Sequence, residues 1–81
     1  MTTLDFCRLM GASNGRKAMV LAIQRYVPDG PQIIADEHQA YMAHKAASSP
    51  QTRQRFSQCR QRRKEAEQVI RERFELRQAV R

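Results

Sequence analysis

Helix-breaking residues fall in only three places in this chain, and their spacing dictates what it can fold into. Gly11-Ala12-Ser13-Asn14-Gly15, Pro28-Asp29-Gly30-Pro31 and Ser48-Ser49-Pro50 hold every glycine and proline in the sequence. No run of alternating β-branched residues lies between them, so the segments they delimit read as helices. The expected fold class is all-α: a small bundle of three to four helices with a long basic C-terminal helix. Expected spans are about 3–10, 16–26, 32–47 and 50–79, packed as a single helical domain over 1–81.

The end signals are specific. Thr2 or Thr3 is placed to cap the first helix and Gly11 to stop it, with Leu4, Phe6 or Cys7, and Met10 facing inward. Ser13 or Asn14 caps the second, which ends where Pro28 forces Val27 extended. Its centre, Ala18-Met19-Val20-Leu21-Ala22-Ile23, is apolar nearly all round, so the other helices are expected to wrap it. Asp29 is the expected cap of the third helix with Pro31 in its first turn, and Ser49-Pro50 opens the fourth.

A chain of 81 residues hides only about 60% of its unfolded surface on folding. A core this thin lacks the depth for a closed catalytic pocket, and no Ser, Cys or Lys has a sequence-evident partner. A non-enzymatic protein without a cofactor is expected. His38 and His44 stand six apart, on opposite sides of a helix, which argues against a metal site and for exposed histidines. Cys7 and Cys59 form no CxxC pair and read as reduced, packed thiols. The first residues lack a secretory pattern, and the apolar run Ala18–Ile23 is too short for a bilayer. A soluble cytoplasmic protein with no membrane contact is the expectation.

Charge is the strongest functional signal. The net formal charge is +7, and 12 of the 15 cations are arginine, the residue whose planar fork matches phosphate and carboxylate. Most of the excess lies in one block. Arg53, Arg55, Arg60, Arg62, Arg63 and Lys64 occur with no acid from 38 through 64, whereas four acids balance four cations over 65–81. At about 100° per residue, Phe56, Cys59, Ala66, Ile70 and Phe74 share one stripe, with Arg63 intruding on it. Arg53, Arg60, Lys64 and Arg71 fall on a separate face beside that stripe. The helix is expected to pack better through its second half, where Glu67 stands four residues from both Arg63 and Arg71.

A helix displaying several guanidinium groups can follow the phosphates of DNA or RNA and gain affinity by counterion release. The same arginines suit an acidic protein surface, as in a small phage- or plasmid-type regulator or inhibitor that docks on a larger complex. Arg16 and Lys17 open the second helix, where the helix dipole disfavours cations, and Ser13–Lys17 is a candidate phosphate or carboxylate cradle. Leu4–Ile23 has the outline of a helix-turn-helix, but its second helix lacks the polar face that base reading requires. Tyr26 and Tyr41 are available to stack on bases or to edge the core. A homodimer is a further expectation, because Phe56, Ile70, Phe74, Leu76 and Val80 spread over more than one face of the fourth helix.

Ser57-Gln58-Cys59-Arg60-Gln61-Arg62-Arg63-Lys64 is similar to the Cys-Arg-x-Arg part of basic-leucine-zipper basic regions. That family has an asparagine where Thr52 stands, and paired alanines where Arg55 and Phe56 stand. The base-reading residues are therefore absent, no leucine heptads follow, and the resemblance assigns no family.

Overall fold

The computed structural model describes residues 1–76, and over these the protein is all-helical. Four helices follow in order: α1 (Thr3–Met10), α2 (Gly15–Tyr26), α3 (Gly30–Ala46) and the long α4 (Pro50–Arg73). Among the described residues no helix is long and apolar enough to cross a membrane.

The boundaries follow from local chemistry. Thr2 accepts the Asp5 backbone N–H at 3.1 Å to cap α1, and Asn14 accepts that of Lys17 at 2.9 Å to cap α2. Gly11, at φ 69°, closes α1 in the left-handed conformation. Ser49 and Thr52 exchange side-chain to backbone hydrogen bonds at the head of α4, with Pro50 as its first residue.

Two boundaries depart from expectation. α3 starts at Gly30 rather than 32, and Asp29 takes the N-cap position at φ 60° without a side-chain capping bond. The cause is a backbone approach. Gly30 is buried against the last turn of α2, where a Cβ would overlap the carbonyl of Ile23. α4 ends at Arg73, short of the expected 79, because Glu75 turns left-handed at φ 51°. The Leu76 N–H then reaches the Arg71 carbonyl at 2.9 Å, and the Glu75 N–H reaches that of Glu72 at 3.3 Å. These are the two bonds of a Schellman close, with glutamate in the place glycine usually takes. Positions 77–79 lie outside the described residues.

The core gathers Phe6, Cys7 and Met10 from α1, Ala18, Met19, Ala22 and Ile23 from α2, Ile33 from α3, and Ala66 and Ile70 from α4. α2 contacts all three other helices, as its apolar centre required, although Leu21 faces outward. Leu4, expected inside, is 60% exposed, and Phe6 and Cys7 fill the position instead. Cys7 is buried and Cys59 half-buried, both as free thiols. The second half of α4 does pack better, since Ala66 and Ile70 are its buried residues. Ile70 is fully buried within the single chain, so it is not available to the expected dimer face; Val80 lies outside the described residues.

Gly30→Ala should lower stability by more than the roughly 1–3 kcal/mol of ordinary overpacking, because backbone opposes the new methyl on the α2 side. Gly15→Ala, whose added methyl meets only the Thr3 Cγ2 at 3.1 Å, should change stability little. Urea unfolding of the two variants followed by circular dichroism checks the contrast.

Candidate nucleic-acid interface

α3 and α4 form an antiparallel hairpin about Ser48-Ser49, and residues equidistant from that turn meet. Tyr41 lies against Phe56, with ring centroids 5.6 Å apart. Further from the turn, Asp36 and Glu37 come opposite Arg62 and Arg63. The Arg62 guanidinium lies 3.2 Å from the Asp36 carboxylate. Arg63 Nε donates to both oxygens of Glu37 at 2.8 Å, and its Nη1 lies 2.8 Å from Glu67 one turn along α4.

This changes the reading of the basic block. No acid lies within the block, but two acids of α3 face it in space, so Arg62 and Arg63 are already paired. Arg63 accordingly sits in the apolar stripe as a half-buried ion-paired group. Its pKa is raised above the ordinary guanidinium value, first by the hydrogen bond to Glu37, against the opposing effect of burial, with the charges of Glu67 and Glu37 adding to the rise.

Arg53, Arg55, Arg60 and Lys64 are exposed and make no ion pair among the described residues. Arg53, Arg60, Lys64 and Arg71 run along one flank of α4, and Arg55 lies on the other flank with Arg62. At 1.5 Å per residue the first row extends about 27 Å. Beside it a groove of about 780 Å³ opens between α4, α3 and the start of α2. Arg60, Arg71 and the paired Arg63 line it from α4, Arg16 from α2, and His38 and Tyr41 from α3. Buried Phe6, Met19 and Ile23 also line it, with half-buried Ile34 and Phe56. Arg16, more than forty positions before Arg60, is thus brought to the same groove. Lys17 is exposed but does not line it, and Arg53 borders a separate hollow with Ser49, Pro50 and Ser57.

The expected anion cradle at 13–17 is partly occupied by its own chain, because the Asn14 side chain already takes the Lys17 N–H. Arg16 and Gly15 face the groove there. His44, expected to be exposed, is half-buried: its Nδ1 lies 2.9 Å from the Thr52 hydroxyl, and its ring stacks on Phe56 at 6.3 Å. His38 is exposed, and among the described residues no three His, Cys, Asp or Glu side chains converge on a metal position. Tyr26 edges the core, packed at 5.3 Å against Phe74 with the Arg73 guanidinium 4.6 Å above its ring. Tyr41 remains 44% exposed. Arg71 and His38 were not singled out from sequence as binding residues; the hairpin register and the helical face shared with Arg60 are the signals that locate them.

Comparisons with known protein families, with curated proteins and with solved structures find no match for this chain.

Arg63→Ala should lower the unfolding free energy by about 1.5–3 kcal/mol, the range for a charged hydrogen-bonded group taken from its partners. It leaves the Glu37 and Glu67 carboxylates facing each other without a cation. Arg62→Ala should cost far less, since its guanidinium is half in water. Because the folded-state pKa of Arg63 is raised, its contribution is complete below the ordinary guanidinium range and lost only in strong alkali. Urea melts across neutral pH should therefore show the same Arg63→Ala deficit throughout.

Proposed function

We propose that this protein is a non-catalytic nucleic-acid-binding protein that holds phosphates along the α4 flank, with Arg16 contributing from across the groove. The observation that carries the reading is the division of the arginines. Arg62 and Arg63 are held by carboxylates, while Arg53, Arg60, Lys64 and Arg71 are left on one flank and Arg16 converges on Arg60 and Arg71 at one groove. Neither α2 nor α4 has an acid in its first turn. Cations kept there against the helix dipole add nothing to helix stability, and a polyanion uses them.

Phosphate binding predicts a linear fall of log affinity with log salt, each lost cation reducing the slope by about 0.7–0.9. In anisotropy titrations of labelled DNA and RNA oligonucleotides at low salt, the native protein should bind. The double variant Arg16→Glu, Arg60→Glu should bind at least about tenfold more weakly and with a flatter slope. The double variant Arg8→Glu, Arg25→Glu, the same charge reversal at exposed positions outside the groove, should have a much smaller effect. No affinity for any oligonucleotide, or affinity indifferent to the groove variant, contradicts the proposal. Enrichment of one acidic protein from nuclease-treated lysate, with no oligonucleotide affinity, would replace it by the acidic-surface reading.

A further inference from the structure

A duplex presents phosphates and base edges, with its base faces stacked away inside. A single strand presents the same phosphates together with base faces that can be laid against aromatic rings. The groove combines features that only the second ligand uses. Tyr41 is exposed at its wall, and the ring is braced by Phe56, which is itself stacked on His44 with an interplanar angle of 22°. His44 is in turn held at Thr52 by the 2.9 Å contact of its Nδ1. The Tyr41 ring is therefore partly immobilised before any ligand arrives, which lowers the entropy lost on stacking.

Cations stand beside this platform. Arg60 follows Phe56 by one helical turn and lines the same groove, as does Arg16 of α2. Glu37 and Glu67 also line it, both paired with Arg63, and the guanidinium groups of Arg16, Arg60, Arg63 and Arg71 outnumber these two carboxylates, so the groove stays net positive. A volume of about 780 Å³ falls in the range of pockets that enclose compact organic ligands, so it has room for an unstacked base. Resting on the nucleic-acid reading above, we infer that the ligand is a single-stranded nucleic acid, one base stacking on Tyr41 and the flanking phosphates lying on Arg60 and Arg16.

The test is anisotropy with labelled oligonucleotides of one sequence as single-stranded RNA, single-stranded DNA and the corresponding duplexes. Native protein, Tyr41→Ala, Tyr41→Phe and Arg60→Ala are compared, with circular dichroism melts confirming that each variant is folded. The native protein should bind single strands at least about tenfold more tightly than duplexes, and Tyr41→Ala should lose about tenfold on single strands alone. Tyr41→Phe should bind as the native protein does, because the ring and not the hydroxyl stacks. Arg60→Ala should weaken single-strand binding and flatten its salt slope by about 0.7. Preference for RNA would assign a contact to the 2′-hydroxyl and equal affinity a general single-strand binder; both support the inference. Duplex binding as tight as single-strand binding, with Tyr41→Ala unchanged, overturns the inference and leaves the nucleic-acid reading standing. Absence of binding to every oligonucleotide overturns both.

Discussion

Arg63 occupies the place in α4 where a packed helix normally puts an apolar side chain. Between Cys59 and Ala66 the inward stripe of the helix has no other residue, and the guanidinium closes the gap by bonding Glu37 of α3 and Glu67 of its own helix. An ionic group at an interface this thin is retained only if its hydrogen bonds are made, and each of its three carboxylate contacts is 2.8 Å. The clamp fastens the α3–α4 register that the Ser48-Ser49 turn begins. That register brings Tyr41 onto Phe56 and seats His44 at Thr52, and it leaves Arg60 and Arg71 beside the groove instead of in the interface.

Where the chain signals structure within a few residues, the fold was legible. The caps at Thr2, Asn14 and Ser49, the stop at Gly11 and the break at Pro28 are local chemistry and lie where expected. The end of α4 was not legible, because the left-handed residue that ends it is Glu75, which carries no breaker signature; tertiary packing of Phe74 on Phe6 and Tyr26 accompanies the turn. The early start of α3 was hidden for a similar reason, since it depends on Gly30 touching the backbone of α2.

The site was half legible. The basic block is plain in the sequence, and its unpaired row of Arg53, Arg60 and Lys64 follows from helical periodicity. Its division into paired and unpaired members is not, because Arg62 and Arg63 meet acids 26 residues away. The hairpin turn supplies the missing rule: Asp36 and Arg62 lie equally far on either side of Ser49, so adjacent acids and adjacent arginines at matched distances were a readable signal. The aromatic platform is subject to the same rule, through Tyr41 and Phe56. Convergence of Arg16 on the groove has no such signal, since it depends on how α2 packs against the hairpin.

The central claim is that the arginines fall into two sets, one that holds the bundle together and one that holds a ligand. Arginine Nε–Hε resonances report this side chain by side chain, and the most direct measurement is their titration with a short single-stranded oligonucleotide at low salt. Signals of Arg16, Arg60 and Arg71 should move with ligand while that of Arg63, locked between two carboxylates, stays in place. Movement of the Arg63 signal with Arg16 and Arg60 unmoved would contradict the account.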